Sequence, residues 1–156
     1  MIKVQIPGRD SFLFEYAIFD MNGTLTVDGV LSSNVREKLI ALSKQLKLFV
    51  LTADTFGKAK EVFKSLPVEL TIVDKNNGQD SKLEFIEKLG AEKCVAFGNG
   101  FNDVKMLKAA KLGIAVIGDE GLCVEAVVNA DICVKNIEHA IDLLLNRSRL
   151  VATLRK

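Results

Sequence analysis

Residues 16–26 read Tyr16-Ala17-Ile18-Phe19-Asp20-Met21-Asn22-Gly23-Thr24-Leu25-Thr26. The run from Tyr16 to Phe19 is apolar throughout. Such a run, with no polar alternation, reads as a central strand covered on both faces. It delivers a carboxylate, Asp20, at its end, and in open α/β sheets ligands bind beyond the carboxyl ends of the strands. Gly23 lets the chain turn sharply there and exposes main-chain N–H groups to an oxyanion.

The same alternation of strand and helix continues in both directions. Upstream, Met1 to Ile6 reads as a strand ended by Pro7-Gly8, and Ser11 to Phe19 as a second strand. Residues 24–31 carry Asp28-Gly29 and read as a small hairpin or flap. Ser32 or Ser33 caps a helix to about Leu46, with Val35, Leu39, Leu42 and Leu46 on its apolar face. Leu48 to Leu51 is a second buried strand. A helix opens at Thr55 and runs to about Ser65, and Val68 to Val73 is a strand. A helix from Asp80 or Ser81 ends at Gly90. Further strands are Cys94 to Phe97, Gly113 to Ile117 and Ile132 to Val134. Helices follow them at Asn102 to Ala110, Leu122 to Asn129 and Asn136 to Leu145. Residues 147–156 read as a frayed basic tail. The expected architecture is one domain over residues 1–156. It is an α/β fold, a three-layer α/β/α doubly wound parallel sheet without a large cap.

Composition narrows the function. The chain has 156 residues, with 21 Lys plus Arg against 20 Asp plus Glu. A formal net charge of +1 argues against a broad nucleic-acid surface. No apolar stretch approaches the roughly 20 residues needed to span a bilayer, and Lys3, Gln5, Arg9 and Asp10 interrupt any leader-like segment. The expectation is a cytoplasmic protein with no nucleic-acid or membrane partner. Cys94, Cys123 and Cys133 lack metal-ligand spacing and read as small buried hydrophobes.

Three apolar runs end in small and polar residues: Asp20 to Thr26, Thr52-Ala53-Asp54, and Gly98-Asn99-Gly100-Phe101-Asn102-Asp103. The chemistry that fits is phosphoryl transfer. A carboxylate on a rigid strand end can attack phosphorus. The Thr52 hydroxyl can donate to a phosphate oxygen, and Lys82, at a helix start, can neutralise it. Asp20 with Asp103 offers oxygen ligands to Mg²⁺, which takes one or two carboxylates plus phosphate and water.

This constellation resembles the haloacid dehalogenase-like superfamily, and most closely the phosphorylation domain of P-type ATPases. Those pumps carry Asp-Lys-Thr-Gly-Thr-Leu-Thr, Thr-Gly-Asp and Gly-Asp-Gly-x-Asn-Asp, in the order of the three stretches above. Lys111-Leu112-Gly113-Ile114-Ala115-Val116 is similar to the strand that follows in the pumps. The resemblance covers roughly Tyr16 to Val134. It implies a phosphohydrolase that forms an aspartyl-phosphate on Asp20, with a phosphorylated small molecule or protein as substrate. It also implies a phosphate-binding set of Thr52, Lys82, Met21, Asn22 and Ala53. Mg²⁺ would be held by Asp20, the Asn22 carbonyl, Asn99 and Asp103.

Two departures from the family pattern point to slow turnover. Most phosphatases of the superfamily have an acid–base Asp at the position of Asn22, and an amide cannot do that work. Asn99 stands where a metal-binding Asp is usual, so the Mg²⁺ site loses a charge. The alternative is a weak or inactive module that binds phosphate or a partner. Structural readings stand beside these: Asp20 as a turn former, Asp103 as a helix-dipole charge, and Asp54 as a helix cap. Lys75, Lys88 and Lys93 compete with Lys82. A dinucleotide site would need a Gly-x-Gly-x-x-Gly that neither glycine stretch supplies. His139 reads as a surface residue.

Overall fold

The computed structural model describes residues 1–54 and 57–156. Strands β1 (Ile2–Val4) and β2 (Phe12–Phe14) form an antiparallel pair, with Ile2 opposite Phe14 and Val4 opposite Phe12. The remaining strands are β3 (Tyr16–Asp20), β4 (Lys47–Thr52), β5 (Glu69–Ile72), β6 (Cys94–Gly98), β7 (Leu112–Val116) and β8 (Ile132–Val134). They form a parallel sheet in the order β5-β4-β3-β6-β7-β8. The chain builds outward from β3 on one side, then crosses back and builds outward on the other. The order therefore reverses between β3 and β6, where a sheet of this kind opens a crevice.

Helices cover both faces. They are α1 (Ser33–Ser43), α2 (Lys58–Val62), α3 (Gly78–Leu89), α4 (Val104–Ala109), α5 (Val124–Asn129), α6 (Ile137–Leu145) and α7 (Arg147–Leu154). Side chains alternate across the strands, so each strand feeds two cores. Ala17, Phe19, Leu48, Val50, Val95 and Phe97 face α1 and α6. Ile18, Phe49, Leu51, Cys94 and Ala96 face α3, α4 and α5. Phe19 and Phe97, in register on β3 and β6, stack with ring centroids 4.4 Å apart. Each buried ring contributes about 1.5–3 kcal/mol, and together they fix the two strands that carry the crevice.

Several sequence expectations change. Ser11 to Phe19 is not one strand. β2 has one buried face, with Leu13 exposed between Phe12 and Phe14, and pairs with β1. The fully buried β3 pairs with β4 and β6 instead. The basic tail is not frayed. Leu150 and Leu154, four residues apart, give α7 a buried stripe, while Arg149 reaches Asp142 of α6. α3 begins at Gly78, before Asp80. The helix start read at Thr55 lies outside the described residues. Of the cysteines only Cys94 is buried, while Cys123 is intermediate and Cys133 exposed. The flap is a two-bond hairpin, Val27 with Val30, turned by Asp28 and Gly29 at φ 50° and 77°. Positive φ at both central residues matches strand twist. No helix among the described residues is long and apolar enough to cross a membrane.

Candidate active site

Asp20 ends β3 beside the reversal point and is 7% exposed. The loop after it is tight. The amides of Leu25 and Thr26 donate to the Met21 carbonyl, and the Gly23 amide donates to the Thr26 carbonyl. Gly23 has φ +78°, and a Cβ there would lie 2.5 Å from Asn99 Nδ2. Only glycine brings this loop so close to β6.

The charges beneath it are dry. Lys82, on the second turn of α3, is 1% exposed, and Asp103 is fully buried. Lys82 Nζ donates to Asp20 Oδ1 and to Asp103 Oδ1, at 2.6 Å in each case. One ammonium thus faces two carboxylates, leaving a net negative charge. Burial, and then the neighbouring Asp103 carboxylate, push Asp20 up from its ordinary 3.8 to about 7, despite Lys82. Burial works against the Lys82 charge, but the two carboxylates outweigh it and hold that group above its ordinary range.

Asp103, expected as a direct metal ligand, has both oxygens engaged. Oδ1 accepts from Lys82, while Oδ2 accepts the amides of Asn99 at 3.0 Å and Gly100 at 2.9 Å. Its carboxylate ties the β6 loop to Lys82. Gly98 makes this possible, since a Cβ there would come within 2.5 Å of Asp103 Cβ.

Asn99 is oriented from its other side. Its Nδ2 donates to the Gly121 carbonyl at 3.1 Å, and its Oδ1 lies 3.0 Å from Thr24 Oγ1. Thr24 Oγ1 is also 3.3 Å from Asp20 Oδ2. Asp20 Oδ2 and Asn99 Oδ1 therefore converge on one hydroxyl, beside an uncompensated negative charge. That oxygen pair suits a hard cation that takes its other ligands from phosphate and water. Among the described residues no group of three His, Cys, Asp or Glu could hold a metal.

These residues face a cleft of about 260 Å³. Asn22, Thr52, Ala53 and Asn99 line it with Asp20 and Lys82. Met21 is buried in the core, so only its main chain is available to a ligand. Thr52 Oγ1 accepts the Asp54 amide at 3.1 Å, which leaves its hydroxyl proton to donate. Asp54 Oδ2 accepts the Ala59 amide, as a helix cap does. His139 is exposed.

From sequence Thr24 has no assigned role, Asp74 reads as a turn former, Lys75 as a competitor of Lys82, and Asn102 as part of the stretch from Gly98 to Asp103. Thr24 bridges Asp20 and Asn99, and the other three line the cleft. Thr24 follows Gly23 in the loop after Asp20, and that was its available signal.

Comparisons with known proteins agree with this geometry. A family model described as haloacid dehalogenase-like hydrolase matches residues 79–120. An uncharacterized Methanocaldococcus jannaschii protein is 51% identical over 79 residues, which is 48% of this chain and 85% of that protein. The phospholipid-transporting ATPase DRS2 of Saccharomyces cerevisiae is 29% identical over 127 residues. That match takes in 81% of this chain but 8% of the pump. Among solved structures, 3-deoxy-D-manno-octulosonate 8-phosphate phosphatase from Moraxella catarrhalis has the same fold. It was solved with magnesium, phosphate and KDO, and superposes with a TM-score of 0.67 at 20% identity, over 91% of this chain and 94% of that one. The parallel sheet and the order of the motifs agree with the haloacid dehalogenase-like hydrolase model that matches residues 79–120 and with the fold of these phosphatases.

Proposed function

We propose that this chain is a Mg²⁺-dependent phosphohydrolase that works through an aspartyl-phosphate on Asp20, with low turnover. The observation that carries the reading is the buried Lys82, donating to Asp20 at 2.6 Å at the strand-reversal point. A dry ammonium there offsets phosphoryl charge as it arrives. Thr52 and the amides after Asp20 and Thr52 bind the phosphoryl oxygens. Asp20 Oδ2 and Asn99 Oδ1, with the Asn22 carbonyl, hold Mg²⁺, which when bound screens phosphate charge. Asp103 fixes Lys82 and the β6 loop.

In the first step an Asp20 oxygen bonds to phosphorus and the bond to the leaving oxygen breaks. In the second, water attacks that phosphorus and Asp20 is regenerated. The first step must give a proton to the leaving oxygen and the second must take one from water. Asn22 can do neither. Acidic leaving groups therefore react fastest, and the phosphoenzyme outlives those of relatives with a carboxylate at this position. The substrate is a phosphorylated small molecule or protein. Asn22 and Asn99, two amides where carboxylates would serve, favour the second reading of a phosphate-binding module with little chemistry.

The test is incubation with acetyl phosphate and Mg²⁺, an acid quench, and intact mass. One phosphoryl adduct on the wild type, absent from Asp20→Asn, is expected. Absence of both adduct and donor consumption moves the assignment to the binding module.

A further inference from the structure

The phosphate cleft has room for a phosphoryl group and little more. It shares a wall, Gly78 and Asn102, with a second cleft of about 380 Å³. Whatever carries the phosphate must leave through that wall or into solvent. The chemistry of the second cleft is specific. Phe101, on the turn between β6 and α4, lines this cleft and is 58% exposed. Asn76, Gln79 and Asn102 line the same cleft, and their side-chain amides bond to no described residue. The cleft's charges cancel, since Lys105 pairs with Asp80.

We infer that this second cleft is a leaving-group subsite for a sugar carrying its phosphate on the anomeric oxygen, an inference that rests on the phosphohydrolase reading above. A carboxamide offers donors and an acceptor together, which matches hydroxyls that do both. One exposed ring suits the C–H face of a pyranose, whereas a nucleobase would need a second stacking surface. Apolar contact with a few placed polar groups is the ordinary make-up of a small-ligand site. A neutral cleft does not select a charged leaving group. The anomeric position follows from Asn22. A hemiacetal hydroxyl is more acidic than a primary alcohol, so it departs with less need of a proton donor.

The test is titration calorimetry of the full chain with Mg²⁺, using inorganic phosphate, α-D-glucose 1-phosphate and adenosine monophosphate. The sugar phosphate is expected to bind about tenfold tighter than phosphate, the size of one stacking contact with its hydrogen bonds. Phe101→Ala should bring the ratio of the two dissociation constants close to one. Gly78→Val should do the same. Its backbone φ is not left-handed, and a Cβ there meets Asn102 Cβ at 3.6 Å, so larger side chains close the passage without strain. A wild-type ratio near one, or a ratio unchanged in both variants while phosphate still binds, overturns the subsite alone. Tighter binding of the nucleotide than of the sugar phosphate overturns the sugar assignment. No binding of phosphate itself overturns the phosphohydrolase reading, and the subsite with it.

Discussion

Two cavities sit at opposite ends of the sheet, and the larger is not the one that holds Asp20. The cavity beside the amino ends of β7 and β8 encloses about 750 Å³ and is lined by Arg9, Asp10, Lys111 and Lys156. The cleft at Asp20 encloses about 260 Å³. In the large cavity Arg9, Asp10 and Lys156 are exposed, so water solvates them and they need no partner. In the small one Lys82 and Asp103 are dry. Keeping charges dry is costly unless they are paired, and two carboxylates to one ammonium is incomplete pairing. A fold that retains it holds a place for added charge. The comparison teaches that desolvated, unbalanced charge marks this site better than volume does.

The largest expected effect is on chemistry. Asp20→Asn should abolish the acetyl-phosphate adduct and lower hydrolysis by at least about 10³-fold, as loss of a nucleophile does. Asp131→Asn, in the large cavity, should leave both unchanged. Equal losses from the two would erase the distinction between the cavities.

Stability separates them next. Lys82→Met leaves two buried carboxylates without a counter-ion and should cost about 3–5 kcal/mol in urea unfolding. Lys111→Met loses only a contact over the Phe12 ring and should cost about 0.5–1 kcal/mol. Similar costs at both sites would show that the dry ion cluster is not special.

The pH dependence follows from Asp20. Its folded-state pKa, about 7, lies above its unfolded value near 3.8. Between those values the native state binds the extra proton. Unfolding stability without divalent metal should therefore fall as pH rises from about 4 to about 7, by a few kcal/mol. Lys82 has the opposite shift relative to its charge. Its contribution is complete below its unfolded pKa and is lost only as pH climbs through the raised folded value, on the alkaline side of 10.5. Mg²⁺ should raise the melting temperature more at pH 8 than at pH 5. In Asp20→Asn the acid-side slope should disappear. A wild-type stability that rises from pH 5 to pH 7 would contradict the charge imbalance.

The smallest effect sharpens the metal site. With one carboxylate and one amide, Mg²⁺ should bind more weakly than micromolar by calorimetry. Asn99→Asp should tighten it about tenfold. A wild-type constant in the low micromolar range would remove Asn99 as the weak element.

Much of the fold is legible locally. The apolar runs Tyr16 to Phe19, Leu48 to Leu51 and Cys94 to Phe97 are too short and too uniform for helices, and small, polar stretches end them. That pattern determined the parallel α/β sheet and the edge at which Asp20, Thr52 and Asn99 gather. It could not divide residues 11–19, because membership in β1's pair or in the main sheet depends on partners distant in the chain. Nor could it find α7, whose two leucines matter only where α6 receives them. Lys82 was legible as a candidate among several lysines. That it is 1% exposed and bridges Asp20 and Asp103 was decided by α3 packing across the sheet, 62 residues from Asp20 in one direction and 21 from Asp103 in the other. Asp103's turn toward loop amides, and Thr24's link to Asn99, were decided the same way. Residue type and spacing determine which groups reach the strand ends. Desolvation and hydrogen-bond partnership arise only when distant segments pack, and those set what each group can do.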